Sequence, residues 1–333
     1  MALKLSILDR SPADSGDSPA QAIANTVSLA QVADELGFHR FWVSEHHGSS
    51  ILTGSSPEVL VSYLLASTRR IRVGSGGVML QHYSAFKVAE NFNVLATLAP
   101  SRVDLGVGRG PGGLPETTSA LQGKNSETVP LEDKLVQLIE YVQPLADQPR
   151  GESHRLQAQP LPDTPPEVHL LGANVSSAAL AASVGIPYVF AHFINGEESN
   201  VEEALATYRR EFNRATGSYP QIILAISALT AASDALAQSY AEDINQYKVV
   251  FEDGASRTIN TLAAAELLGN QSAKPFRIEA RRASILHGGK ASLAAQLHDL
   301  RARHDLAEIM VLPAQHSYAA RLHLYEALAS IIR

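Results

Sequence analysis

The sequence predicts an α/β protein whose strands close into a (β/α)₈ barrel. Three observations carry that prediction. Eight short, β-branched runs recur along the 333 residues. Longer segments with apolar residues every three or four positions separate them. Several of the runs are apolar on both faces, as strands of a parallel sheet covered by helices must be. A count of eight favours closure over an open, doubly wound sheet.

The runs are KLSIL (4–8), RFWVS (40–44), RIRVGSGGVML (70–80), RVDLGVG (102–108), EVHLLG (167–172), YVFAHF (188–193), IILAISAL (222–229) and EIMVL (308–312). AQAIANTVSLAQVADELG (20–37) and VEEALATYRREFNRAT (201–216) have helical periodicity, and Gly37 fits a helix stop. Two connections are too long for ordinary loops: one from Gly110 to a helix near Leu131, after the fourth strand, the other roughly 246–289, after the seventh. Long insertions on a barrel commonly form lids or interfaces. The chain is therefore read as a single domain over 1–333.

Composition narrows the function. The formal net charge is -7 and no basic run occurs, which argues against nucleic acid or an anionic membrane surface as partner. There is no cysteine, which excludes disulfides, thiolate-bound zinc, iron–sulfur clusters and a Cys nucleophile. The opening MALKLSILDRSP does not read as a secretory signal, and no apolar run approaches the roughly 20 residues of a bilayer span. A cytoplasmic location is expected.

The second strand ends in SEHHG (44–48). Barrel active sites lie at the carboxyl ends of strands. Side chains alternate along a strand, so Glu45 and His47 share one side and His46 takes the other. An imidazole there suits proton transfer near neutral pH, although polar residues also simply cap strands. A metal site gathering His46, His82 and His192 is conceivable but disfavoured, since adjacent histidines on a strand diverge.

Three further segments suggest an anion. GVGRGPGG (106–113) has dinucleotide-fingerprint spacing, but Pro111 and Pro115 follow where a helix should open, so the match is false. Arg109 within it can hold a phosphate bidentately, or serve a surface ion pair. HLLGANVSSAALAASVG (169–185) ends a strand at Gly172, and Asn174 or Ser176 can cap the helix that follows. Its free N–H groups, with the Ser176 and Ser177 hydroxyls, form an anion site beside Arg109. Glycines 74, 76 and 77 inside the third strand mark a bulge or a backbone approached by ligand. Asp9 and His192, at the ends of the first and sixth strands, are candidate substrate-pocket residues.

With these motifs in view, the chain resembles the bacterial luciferase-like flavin monooxygenases. The resemblance runs through ILDRSP, LGFHRFWVSEHH, IRVGSGGVMLQHYSAFKVAENFNVLATLAPSRVDLGVGRGPG, VHLLGANVSSAALAASVGIPYVFAHF and HDLAEIMV. It implies a barrel that uses reduced FMN and O₂ to oxidise a small organic substrate. A separate NAD(P)H:flavin reductase would deliver the flavin. It also implies that His46 lies at the reactive edge of the flavin as proton donor or acceptor, with Glu45 and His47 supporting it. The family's non-prolyl cis peptide falls at Gly76–Gly77, behind the ring. The phosphate falls on Arg109, Ala173, Asn174 and Ser177. Where some relatives carry Glu-Ser, this chain has Ala173-Asn174, which keeps the backbone amides and loses the carboxylate. The resemblance further implies a homodimer packed through helices near the second and third strands. The alternatives are a relative transferring hydride with the deazaflavin coenzyme, a non-catalytic flavin-binding barrel and, last, a metal hydrolase. No resident metal is expected.

Overall fold

The computed structural model describes residues 3–123, 129–143, 156–272 and 274–332. Seven strands come first: β1 (Lys4–Asp9), β2 (Arg40–Val43), β3 (Arg72–Met79), β4 (Val103–Gly108), β5 (Glu167–Gly172), β6 (Tyr188–Ala191) and β7 (Ile222–Thr230). Four strands of an inserted segment follow, β8 (Asn245–Phe251), β9 (Ser256–Ile259), β10 (Phe276–Arg282) and β11 (Ile285–Gly288), and then β12 (Glu308–Pro313). Strands β1 to β7 and β12 are all parallel, and pairing of β6 with β7 and of β12 with β1 closes them into an eight-stranded barrel. Every one of the eight predicted runs is a barrel strand, and closure excludes the open sheet.

The helices are α1 (Pro19–Leu36), α2 (Pro57–Ser67), α3 (Ala85–Leu98), α4 (Pro115–Gln122), α5 (Leu131–Val142), α6 (Val175–Val184), α7 (Glu198–Glu211), α8 (Asp234–Glu242), α9 (Leu262–Gln271), α10 (Lys290–His304) and α11 (Tyr318–Ile332). Their ends follow local chemistry. Ser18 caps α1 through Gln21 N, with Pro19 in the first turn, and Gly37 stops it at φ 88°, a left-handed conformation that costs glycine little. The long connection after β4 contains α4; the part of it around Lys124 and Asn125 lies outside the described residues. The described part of the connection after β7 also contains regular structure. There β8, β9 and β10 form an antiparallel sheet in the order β10-β8-β9, and β11 runs parallel to the end of β7, from Ile285 beside Ser227 to Gly288 beside Thr230. No helix among the described residues is long and apolar enough to cross a membrane.

Alternation along the strands sorts residues between two cores. Leu5, Ile7, Phe41 and Val43 pack outward against helices, while Leu8, Trp42, Leu171, Val189, Met310 and Leu312 fill the barrel interior. Below this apolar layer, at the amino ends of the strands, the interior is ionic. The Arg40 guanidinium donates to Glu308 at 3.0 Å and to Glu167 at 2.8 Å, and lies 2.9 Å from Asp104. Asp104 also accepts from Trp42 Nε1 at 2.8 Å and from Arg72 Nε at 2.9 Å. Asp104, Glu167 and His169 are the one His/carboxylate group among the described residues with metal-ligand spacing. Two guanidiniums already sit on its carboxylates. It is an ion-pair floor.

Removing Arg40 strands three carboxylates in a nearly closed space. Arg40→Ala should cost about 3–5 kcal/mol, the range for orphaning a buried ion pair, read as a fall in the urea midpoint. A loss below about 1 kcal/mol would show that water reaches the floor and does the work of the arginine.

Candidate active site

Above the apolar layer, at the carboxyl ends of the strands, the interior opens into a cavity of about 890 Å³. That is large enough for a drug-sized ligand or a mononucleotide cofactor. Leu8, Leu171 and Leu312 form its base, and Gly76, Gly77, Gly108 and Gly172 line one side. The insertion closes another side through Asn245, Gln246, Thr258 and Asn260.

His46 continues the inward row of β2, after Arg40, Trp42 and Ser44, and lines the cavity. Its Nδ1 is 3.0 Å from Ser44 Oγ, and its backbone N–H donates to Gly54 O at 2.8 Å. This leaves Nε2 available to a bound molecule. Burial, then the nearby Arg10 and His47, lower its pKa from 6.5 to about 4. Glu45 and His47 lie on the opposite side of the strand. Glu45 accepts from Met79 N at 3.0 Å and from Tyr83 Oη at 2.8 Å, and bonds His47 Nε2 at 2.7 Å. They tie the ends of β2 and β3 together.

The Gly76–Gly77 peptide is cis, and the register between β3 and β4 shifts between Ser75 and Val78. A Cβ on Gly76 would fall 2.5 Å from Leu8 Cδ1, and one on Gly77 would fall 2.8 Å from Gly106 O and Gly108 N. The wall there is bare backbone because no side chain fits. Gly74 is glycine for a different reason: it packs against Asp104 and Trp42 of the floor.

Arg109, Gly172, Ala173, Asn174 and Ser177 also line the cavity. Arg109 is 54% exposed, with its Nη2 3.9 Å from Glu132 Oε1. Asn174 caps α6 by accepting from Ser177 N at 2.9 Å. The Ser177 hydroxyl donates to Asn174 O at 2.8 Å and meets Tyr188 Oη at 2.9 Å, so it is not a free ligand donor. Ser176 is exposed, does not line the cavity, and donates to Asn174 Oδ1 at 2.9 Å. The donors left at this helix end are the backbone N–H groups of Val175 and Ser176.

Two expected pocket residues are elsewhere. Asp9 is fully buried on the outward side of β1, where it accepts from Arg321 Nη1 at 2.8 Å, Ser11 N at 2.6 Å and Thr26 Oγ1 at 3.2 Å. His192 is buried, does not line the cavity, and has Glu198 and His304 as its charged neighbours. Alternation explains both: the inward positions are their neighbours Arg10 and Phe193, which do line the cavity. His82 does not gather with His46 and His192: its Nε2 is 2.8 Å from Pro111 O, and its ring lies edge-on to that of His47, on the other side of β2. Gln315, His316 and Ser317, just past β12, complete a wall that no motif had marked.

Comparison with known proteins agrees with this architecture. The family model of luciferase-like monooxygenases matches residues 1–305. The chain belongs to the luciferase-like monooxygenase family. It is 40% identical, over 93% of its length and 92% of the relative's, to the N-acetyl-S-alkylcysteine monooxygenase of Bacillus subtilis (strain 168). Among solved structures it is similar to apo-MsnO8, with 31% identity, a TM-score of 0.78, and coverage of 99% of this chain and 98% of that one. Two structures share the fold at lower identity and hold different coenzymes. One is the oxygenating constituent of 3,6-diketocamphane monooxygenase from Pseudomonas putida with FMN, 15% identical, TM-score 0.66, covering 100% of this chain and 97% of that one. The other is an F420-dependent secondary alcohol dehydrogenase with an F420-acetone adduct, 12% identical, TM-score 0.68, covering 100% of both chains.

The depressed pKa makes a pH prediction. Because the folded pKa lies below the unfolded value of about 6.5, His46 costs no stability above pH 6.5. The penalty grows as pH falls from 6.5 through about 4. In ¹⁵N-imidazole NMR of the ligand-free protein, His46 should remain neutral at pH 5.5. A midpoint at 6.5 or above would contradict the account of its burial.

Proposed function

We propose that the protein is an FMN-dependent monooxygenase that uses reduced flavin and O₂ to oxidise a small organic substrate. The observation that carries this reading is the arrangement of the cavity. A bare-backbone wall suited to a flat ring stands between an anion-binding end, made by Arg109 and the amino end of α6, and the inward-facing His46. The residues fit the group: packing against Leu8, Trp42, Gly106 and Gly108 excludes a side chain at Gly76 and Gly77, so the cavity is lined there by bare backbone. Two unpaired N–H groups and a guanidinium suit a phosphate.

When bound, a reduced flavin supplies the electrons that activate O₂. The chain's part is to bind, shelter and move protons. Arg109 and the amino end of α6, where Ala173 and Asn174 line the cavity, hold the phosphate. Leu8, Leu171 and Leu312 exclude water from beneath the ring. His46, neutral at pH 7 with Nδ1 engaged by Ser44, accepts a proton or donates a hydrogen bond through Nε2. An anion bound nearby favours its protonated form and raises its pKa toward neutrality. The α4 segment and the insertion serve as lids; Glu116 N already meets Gln271 Oε1 at 3.3 Å between them.

The proposal includes a separate NAD(P)H:flavin reductase as electron source. It also includes a homodimer packed through α2 and α3. Val59 and Tyr63 on α2 are 67% and 63% exposed, and Val94 and Leu98 on α3 are 43% and 72% exposed, an apolar stripe at helical spacing on adjacent helices. Light scattering showing a monomer at micromolar concentration would sink that part.

The test is titration with FMN, oxidised and then anaerobically reduced, beside the deazaflavin coenzyme. Saturable binding that favours reduced FMN, followed by substrate-dependent O₂ consumption, is expected. Selective binding of the deazaflavin would move the reading to hydride transfer. N-Acetyl-S-alkylcysteines, the substrates named for the 40%-identical relative, are the first to assay. Arg109→Ala should weaken FMN binding about tenfold, or roughly 1.5 kcal/mol, the low end for a charged hydrogen bond because the side chain is half exposed. Unchanged affinity would place the phosphate elsewhere.

A further inference from the structure

The cavity holds a second cation whose position the flavin reading does not use. Arg10 follows Asp9 at the end of β1 and extends the inward row of Ser6 and Leu8 into the cavity wall. In the closed barrel β1 lies across the mouth from β5, so Arg10 faces the cavity from the side opposite α6.

Among the described residues no carboxylate lies within ion-pair distance of Arg10, and the one carboxylate that acts on it electrostatically is Asp9, at longer range. Asp9 points the other way, with its oxygens taken by Arg321, Ser11 and Thr26. Asp14 and Asp243, the carboxylates in the cavity lining, form no ion pair with it. The contact it does make is from Nη2 to His316 Nε2 at 3.4 Å. A guanidinium has no acceptor, so that imidazole nitrogen must accept, and His316 is neutral. Burial and the two nearby arginines, Arg10 and Arg321, lower the His316 pKa in the same sense.

A partly buried guanidinium normally finds an anion. Here its one hydrogen bond among the described residues is that to His316, and the side chain lines a cavity shared with His46, Ser44, Ile51, Leu52 and Phe193. Arg10 is also close enough to His46 to depress its pKa. Whatever anion Arg10 holds therefore lies within one molecule's length of the proposed proton acceptor, with apolar side chains beside it.

We propose that Arg10 is the anchor for a carboxylate carried by the substrate, so that the protein selects small organic acids whose apolar, oxidisable part lies beside His46. This inference rests on the flavin reading of the rest of the cavity. A fork of donors matches a carboxylate bidentately, which fixes orientation as well as affinity. The same fork would also suit the flavin phosphate, and the experiment has an arm for that source.

The probes are butyrate, 4-phenylbutyrate and N-acetyl-S-benzylcysteine, each beside its primary amide, titrated calorimetrically into the FMN-loaded protein and its Arg10→Gln and Arg10→Lys variants. The wild type should prefer at least one acid over its amide by tenfold or more. Arg10→Gln should abolish that preference while amide binding and FMN affinity stay within twofold. Arg10→Lys should recover part of it, as a point charge without the fork. No acid preference across all three pairs, or a preference that survives Arg10→Gln, overturns the inference. So does a loss of FMN affinity in Arg10→Gln that riboflavin does not share, which would assign Arg10 to the phosphate. Failure of the wild type to bind FMN would overturn the flavin reading instead, and the acid-against-amide comparison on the flavin-free protein would still decide the role of Arg10.

Discussion

The two-residue period of a strand in a closed parallel barrel is the constraint on which the rest depends. Each barrel strand has an inside and an outside, and neighbouring residues cannot exchange them without moving a whole row of side chains. Along β2 the inward row reads Arg40, Trp42, Ser44, His46: an ion pair at the floor, an aromatic plug, then two polar groups at the mouth. The outward row reads Phe41, Val43, Glu45, His47: packing against helices, then a clasp to Met79 and Tyr83. One strand thus builds both the support and the reactive surface.

Electrostatics follow from the same sorting. At the floor, Arg40 and Arg72 face three carboxylates, and each charge is held by groups that cannot leave. At the mouth the charges are not paired in this way. Asp9 and its partner Arg321 turn outward into the wall, so Arg10 stands inside with no ion-pair partner among the described residues, and burial, helped by Arg10, lowers the pKa of His46. The carboxylates of the floor all have guanidinium partners, whereas in the proposed reading the mouth receives anions at two separate places, Arg10 and the Arg109–α6 end.

Much of this was legible in the sequence. The eight strands, the stop at Gly37, the Asn174 cap, and the split of His46 from Glu45 and His47 all follow from local periodicity and cap chemistry, which short windows record. The pocket assignments of Asp9 and His192 followed from their places at strand ends alone. The alternation that separated the two histidines selects Arg10 and Phe193 instead, had it been applied to those strands. The ionic floor could not be read, because Arg40, Asp104, Glu167 and Glu308 meet only when four distant strands close. Nor could the engagement of the Ser177 hydroxyl by Asn174 and Tyr188 be read, since Tyr188 comes from the next strand. The sheet within 245–282 was missed for another reason: most of its strand residues are exposed or half-buried without a clean alternation, and little of it is apolar enough to stand out.

The central claim is that the cavity is polarised, with the flavin phosphate at the Arg109–α6 end and the reactive groups at the His46–Arg10 end. A crystal structure of the protein soaked with FMN tests it most directly. The account predicts phosphate oxygens within hydrogen-bond distance of backbone N–H groups at the amino end of α6 and of the Arg109 guanidinium, the ring against Gly76–Gly77, and Arg10 free of the phosphate. Phosphate density on Arg10, or a ring lying away from the glycine wall, would contradict it.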